Sequence, residues 1–220
     1  MSSIRRAYRV LVVDDHPVVR LGLRQTLDAA PDLEVCGEAE GASDALSALE
    51  EYRPDLVLVD ISLKDGSGLD LIKRIAHREP SVKILVASMH DEVLFAERAL
   101  RAGAHGYINK EQATERLVSA ARTVLAGSIS LSQKMSDRMI RALAVGDSEK
   151  GRPMLDQLSD REFEVFQLLG RGLTTRQASD HLHLSVKTIE TYRENIKDKL
   201  SLANNNELIC RAAQWVVQQA

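Results

Sequence analysis

Cysteine is scarce in this 220-residue chain, with only Cys36 and Cys210 far apart in sequence. A pair so separated, in what read as different domains, makes no structural disulfide and suits the reducing cytoplasm. Long hydrophobic runs are missing too. No apolar stretch approaches the roughly 20 residues of a membrane span. The one that follows the basic start stops at Asp14, which speaks against a signal peptide. Nor is any segment strongly basic: the formal net charge is -3, and residues 152–220 hold nine Lys and Arg against nine Asp and Glu. If the chain binds nucleic acid, its positive groups act locally and one copy binds modestly. There is no internal repeat and no low-complexity tract. The length suits two domains of ordinary size.

What is present is an apolar run of strand length, Val10-Leu11-Val12-Val13, ending in the adjacent carboxylates Asp14 and Asp15. A second run, Leu56-Val57-Leu58-Val59, ends at Asp60. Strands buried on both faces of a parallel sheet read as unbroken apolar runs, and ligands of open α/β sheets gather at the carboxyl ends of strands. Three acids are therefore expected on one edge. Carboxylates that close repel one another, so the site needs raised pKa values, a bound cation or both, and a hard ion such as Mg2+ suits oxygen ligands best.

From Tyr8 to about Gly127, strand-like runs near 9–14, 33–38, 56–60, 83–88 and 105–109 alternate with helix-like stretches near 17–29, 42–51, 67–77, 91–102 and 112–126. This alternation predicts an α/β, doubly wound, five-stranded parallel sheet. The fourth strand ends in Ala87-Ser88 and the fifth runs Gly106-Tyr107-Ile108-Asn109-Lys110, so a hydroxyl and an ammonium close strands on the acids' edge. Such a set suits phosphoryl transfer to a carboxylate, which needs a cation and donors for the incoming oxygens. Mg2+ held by Asp14, Asp15 and Asp60 supplies the first, and Lys110 with Ser88 the second. His16 and His90 lie near the same edge but read as surface residues, because no acid or cysteine spacing suited to zinc accompanies them.

Residues 8–127 resemble the receiver domain of two-component response regulators, a flavodoxin-like fold. The match rests on Asp14-Asp15, Asp60, Gly68 eight positions on, Ser88, and the Gly-Tyr-x-x-Lys ending at Lys110. The resemblance implies that a sensor histidine kinase phosphorylates Asp60 and that the main-chain carbonyl of Ser62 completes the metal shell. It also makes Ser88 and Tyr107 a switch, the hydroxyl drawn toward the phosphoryl group and the ring moving inward. Leu63-Lys64 stands where Met-Pro is common, and Glu111 where proline is common.

After Gly127 no further strand signal occurs. A short helix is predicted near 132–145, a flexible linker over Val145–Pro153, and helices over 159–170, 174–182, 185–200 and 205–217. Ser159 and Glu162 have the spacing of a capping box, and Thr174 and Ser185 can cap the next two helices. Val186, Ile189, Tyr192, Ile196 and Leu200 mark the packed face of the third helix, leaving Lys187, Thr191, Glu194 and Asp198 outward. In the last helix Leu208, Ile209, Ala212, Trp215 and Val216 read as core, with Cys210, Ala213 and Val217 on other faces. Periodicity alone divides evenly between a helix-turn-helix reader of the major groove and an ordinary helical bundle.

The residue pattern favours the reader. Leu158-Ser159-x-Arg161-Glu162-x-Glu164-Val165, Gly172-Leu173-Thr174, Leu184-Ser185-x-Lys187-Thr188-Ile189-Glu190-Thr191-Tyr192 and Asn195-Ile196-x-x-Lys199-Leu200 resemble the LuxR-type DNA-binding domain. With the receiver, this is similar to the NarL/FixJ response regulators. Gln177-Ala178-Ser179 replaces the more usual Glu-Ile-Ala, and Tyr192 a common His. By position, Lys187, Thr188, Glu190 and Thr191 are candidates for base-edge contact, and Thr175, Arg176, Arg193, Lys197 and Lys199 for phosphates. Pairing of Glu190 with Arg193 or Lys197 is an equal alternative to base reading.

The expected organisation is a receiver over 1–130, a linker over 131–154, and an all-α four-helix helix-turn-helix domain over 155–220. The expected function is a cytoplasmic transcription regulator that binds double-stranded DNA, pairs as a homodimer when phosphorylated, and touches no membrane. Its only chemistry is its own phosphoryl transfer and dephosphorylation. One rival reading is a metal-dependent phosphotransferase, for which the second acid two residues beyond Asp60 is missing, Ser62 standing there. The other is a protein-interaction module that binds no DNA.

Overall fold

A computed structural model describes residues 6–90, 92–145, 155 and 157–219. The chain divides into two compact units, Met1–Arg141 and Ala142–Ala220. In the first, β1 (Tyr8–Val13), β2 (Leu33–Ala39), β3 (Leu56–Val59), β4 (Lys83–Ser88) and β5 (Gly106–Asn109) form one parallel sheet in the order β2-β1-β3-β4-β5. Helices α1 (Pro17–Asp28), α2 (Ala42–Tyr52), α3 (Gly68–Arg78), α4 (Glu92–Ala102) and α5 (Ala113–Leu125) alternate with the strands. The apolar residues of β1 and β3 are buried without exception from Val10 to Val13 and from Leu56 to Val59, as strands covered on both faces must be. Val10, Val12, Leu56, Leu58 and Leu85 share a core with Leu23 and Leu27 of α1 and with Leu117, Ala121 and Val124 of α5.

β1 pairs with β2 on one side and β3 on the other, so the strand order reverses there and opens a crevice at the carboxyl ends. The register aligns Val13 with Val59, Val59 with Val86 and Ser88 with Asn109. Asp14, Asp60, Ser88 and Lys110 consequently stand along one rim.

The polar stretch after Asp60 is more ordered than a loop. Ser62–Leu63 and Gly66–Ser67 pair as a short antiparallel hairpin. Its turn residue Asp65 accepts the amides of Ala42 (2.8 Å) and Ser43 (3.1 Å), which caps α2 and anchors the hairpin. Gly68 opens α3 so close to Asp60 that a Cβ there would lie 1.9 Å from the Asp60 carbonyl oxygen. That contact gives the glycine eight residues beyond Asp60 a physical reason.

Beyond α5 the chain runs beside β5, Tyr107 donating to the Ser130 carbonyl (2.8 Å) and Ser130 to that of His105 (3.0 Å), before helix α6 (Gln133–Val145). Of the expected linker over Val145–Pro153, Val145 ends α6 and the rest lies outside the described residues.

The second unit comprises α7 (Asp160–Gly170), α8 (Thr175–His181), α9 (Val186–Leu200) and α10 (Asn205–Gln219). Ser159 with Glu162 and Thr174 with Gln177 form capping boxes, and Ser185 accepts the amide of Thr188. His183, at φ 53, makes the left-handed turn between α8 and α9. The edges of Phe163 and Phe166 meet the Trp215 ring, and Gly170 lets α7 approach the Ala212 carbonyl of α10 closely. Among the described residues no helix is long and apolar enough to cross a membrane.

Candidate functional site

The rim of the first unit brings Asp14, Asp15, Asp60 and Lys110 together. Lys110 Nζ lies 2.6 Å from both Asp14 Oδ2 and Asp60 Oδ2, and all three side chains are buried. One ligand atom from each of Asp14, Asp15, His16 and Asp60 lies within 4.8 Å of every other. Asp60 Oδ1 is buried without a hydrogen-bond partner among the described residues. An oxygen so placed costs stability unless something compensates it, so the donor set fits a hard divalent cation.

Electrostatics follow from this crowding. Burial drives the Asp60 carboxyl above its ordinary range, against the pull of Lys110 and with the push of Asp14. For Lys110 burial works the other way, but the charges of Asp60 and Asp14 outweigh it and hold the ammonium above its usual value. Asp65 is also buried in part; the amides of Ala42 and Ser43 more than offset that and keep its carboxyl low.

Several supporting residues were not evident in the sequence. Arg20 is buried in α1 and donates to the Asp14 carbonyl (2.6 Å), while reaching Glu38 and Glu40 at 3.2 Å each. Its spacing from Leu23 and Leu27 places it on the helix's buried face, and that is the signal that would have found it. His90, expected at the surface, is half-buried and hydrogen-bonded to Ser62 Oγ at 2.8 Å. Its amide donates to Ser88 Oγ (3.2 Å), and its carbonyl accepts the Tyr107 hydroxyl (2.9 Å). Tyr107 is inside, 2% exposed. The hydrogen bond to His90 explains this, since it satisfies the hydroxyl in the interior. Of the two departures near the site, Leu63 is buried in the hairpin, and the Glu111 amide donates to Asn109 Oδ1 (2.8 Å) in the turn after β5.

In the second unit α9 presents Lys187, Glu190, Thr191, Glu194 and Asp198 to solvent, while Ile189, Ile196 and Leu200 are buried. Val186 and Ile209, both expected inside, are 42% and 40% exposed. Periodicity assigns a residue to a face but not to a depth. Val186 stands on the first turn of α9, and Ile209 borders the face on which Cys210 is exposed. Tyr192 is half-buried. In α8, Ala178 and Ser179 are buried and Gln177 serves the cap, so the altered tripeptide is absorbed by packing.

The expected phosphate contacts differ in their freedom. Arg176 is exposed, but Arg193 donates to Thr175 Oγ1, Lys197 pairs with Glu194 (2.8 Å) and Lys199 with the buried Glu162 (2.6 Å). Arg193 and Lys197 therefore meet partners other than Glu190, which is itself exposed. Thr188 shares a hydrogen bond with Ser185 (2.8 Å), and Thr191 Oγ1 donates to the Lys187 carbonyl (3.0 Å).

Comparison with known proteins agrees with this arrangement. Residues 10–122 match the family described as response regulator receiver domain, and residues 156–212 the family described as bacterial regulatory proteins, luxR family. Response regulator GacA of Pseudomonas aeruginosa is 34% identical over 206 residues, 94% of this chain and 95% of that protein. Oxygen regulatory protein NreC of Staphylococcus carnosus is 32% identical, covering 91% of this chain and 94% of its own. Among solved structures, RcsB from Salmonella enterica serovar Typhimurium, bound to promoter rprA with the phosphomimetic BeF3-, is 25% identical with a TM-score of 0.60. It covers 94% of this chain and 99% of its own. A receiver sheet with its acidic rim, followed by luxR-type helices, places this chain in the response regulator family as a receiver joined to a LuxR-type DNA-binding domain.

Proposed function

We propose that this regulator is switched by phosphorylation of Asp60 and reads promoter DNA through α9. The observation that carries the reading is the convergence of Asp14, Asp60 and Lys110 within 2.6 Å contacts at the switch point of the sheet. A carboxylate oxygen of Asp60 attacks phosphorus. A P–O bond forms to it as the donor's bond to phosphorus breaks, and the electron pair leaves with the donor group. Lys110 and Ser88 hold the transferred oxygens. Mg2+, held by Asp14, Asp15, Asp60 and the Ser62 carbonyl, would neutralise the charge these oxygens bring. The donor is a sensor histidine kinase, and apart from its own phosphoryl transfer and dephosphorylation the protein is not an enzyme.

The domains run over 1–130 and 155–220, with the segment 131–154 between them. In the second, the N-terminal half of α9 offers Lys187, Thr188, Glu190 and Thr191 to base edges, while Thr175, Arg176, Arg193, Lys197 and Lys199 line the phosphate side. With nine positive charges against nine negative over residues 152–220, one copy binds weakly. A homodimer formed on phosphorylation doubles the phosphate contacts on paired half-sites. The work is done in the cytoplasm.

Incubation with a small phosphoryl donor and Mg2+, followed by intact-mass measurement and mobility shift on promoter fragments, tests this. We expect one phosphoryl group per chain and tighter DNA binding, both abolished in Asp60→Asn. Labelling that persists in Asp60→Asn, or steady turnover of phosphate esters, refutes it.

A further inference from the structure

Arg20 is a charged residue on the buried face of α1, with its side chain only 9% exposed. A buried guanidinium is costly unless its donors find partners, and here each kind of nitrogen finds one. Nη1 donates to the Asp14 carbonyl (2.6 Å), Nε to Glu38 (3.2 Å) and Nη2 to Glu40 (3.2 Å). The contact with Asp14 reaches back across the turn that carries both acids. The Asp14 carbonyl belongs to the peptide plane joining Asp14 to Asp15, and that rigid plane governs the direction in which each side chain leaves the backbone. Pinning its oxygen therefore aims two carboxylates at once. β2 braces the guanidinium from the other side, since Glu38 belongs to that strand and the Asp14 amide donates to the Ala39 carbonyl (3.1 Å). Glu40 also pairs with Lys64 of the hairpin after Asp60, but both side chains of that pair are exposed and it contributes little.

We propose that Arg20 is a positioning residue of the acidic site, which presets Asp14 and Asp15 for a divalent cation by fixing the peptide plane between them. The proposal rests on reading the rim as a divalent-metal site and deepens that reading. It gives an effect whose sign charge alone would reverse. A guanidinium beside such a site repels the cation, and without it Glu38 and Glu40 attract the cation uncompensated, so electrostatics by itself makes Mg2+ bind more tightly once Arg20 is neutralised. Loss of the preset turn works the opposite way. The two carboxylates must then be ordered as the cation binds, and affinity falls.

The test uses the full-length protein, stripped of metal, with Mg2+ titrated by calorimetry and amide exchange followed in the metal-free state. Glu38 and Glu40 are partly open to solvent, so Arg20→Met keeps the apolar stem and leaves no acid sealed in the core. The variant should bind Mg2+ on the order of ten- to a hundredfold more weakly. Lys64→Ala removes a positive charge from the same chain of ion pairs without touching the turn, and its affinity should stay within about twofold. Arg20→Lys keeps the charge but not the fork. It should also bind Mg2+ more weakly than wild type, and it tests the role if the methionine variant does not fold. In metal-free Arg20→Met the His16 amide, which donates to Asp14 Oδ1 (2.9 Å), should exchange faster while the amides of β4 and β5 keep their wild-type rates. Mg2+ affinity unchanged or raised in either Arg20 variant, or exchange accelerated equally over the whole sheet, overturns the role of Arg20 and leaves the acidic site standing. Wild type that binds no Mg2+ overturns both readings.

Discussion

Nε2 of His90 lies 2.8 Å from Oγ of Ser62, the residue two places beyond Asp60. The same histidine accepts the Tyr107 hydroxyl on its carbonyl and donates its amide to Ser88 Oγ, while its ring packs 4.6 Å from that of Phe95. One residue thereby links β5 to the residues that follow β3 and end β4 around Asp60, and its backbone and side chain carry different parts of the linkage.

His90→Ala separates these parts, since it removes the tether to Ser62 and keeps both backbone hydrogen bonds. Amide exchange at Ser62 and Leu63 should accelerate while that of β5 stays slow. Tyr107→Phe should instead lower stability by about 0.5–1.5 kcal/mol, the net value of one hydrogen bond, in urea denaturation. Unaltered exchange at Ser62 in His90→Ala would show that the hairpin holds without the tether.

Gly68→Ala puts a methyl group where the Asp60 carbonyl stands, at a separation of 1.9 Å that backbone atoms must relieve by moving. A loss of about 1–3 kcal/mol is expected, as for other overpacked sites, together with slower labelling because the acceptor loop shifts. Gly66→Ala, which meets nothing within 4 Å, is the control and should cost far less. Equal stabilities of the two variants would contradict the close approach.

Glu162 gives the second unit a pH dependence of definite sign. Burial works to raise its carboxyl, but the Lys199 ammonium and the Ser159 amide and hydroxyl hold it below the ordinary range. A lowered folded-state pKa contributes stability in full above the unfolded value of about 4.3 and loses it as pH falls through the folded value. Glu162→Gln should cost about 1–2 kcal/mol at neutral pH, between a neutral and a charged hydrogen bond, and flatten the acid limb. Fluorescence of Trp215, the single tryptophan and a neighbour of Phe163 and Phe166, reports the unfolding. An acid limb of unchanged slope would sink this assignment.

Lys187 and Arg176 are exposed on the candidate DNA face, whereas Lys199 is engaged with Glu162. Lys187→Ala should weaken promoter binding and, if it meets a phosphate, reduce the slope of log affinity against log salt by about 0.9. If it reads a base, the loss should be about 1–3 kcal/mol and confined to cognate sequence. Titrations of cognate and random duplexes at several salt concentrations distinguish the two, and no change on either duplex would remove Lys187 from the interface.

The sequence by itself determined the order of elements and the residues at the strand ends. Unbroken apolar runs can be stable only between two layers of helices, so Val10–Val13 and Leu56–Val59 announced a doubly wound sheet and brought Asp14 and Asp60 to one rim. Caps at Ser159, Thr174 and Ser185 were equally legible, because a cap joins residues three apart. Contacts between distant segments were not. Arg20 on the Asp14 carbonyl, His90 on Ser62, Asp65 on α2 and Lys199 on Glu162 depend on which loops and helices the tertiary packing sets side by side. Depth escaped as well. Val186 and Ile209 have the spacing of core residues yet meet solvent, since burial depends on how far a neighbouring element extends, which local periodicity does not encode.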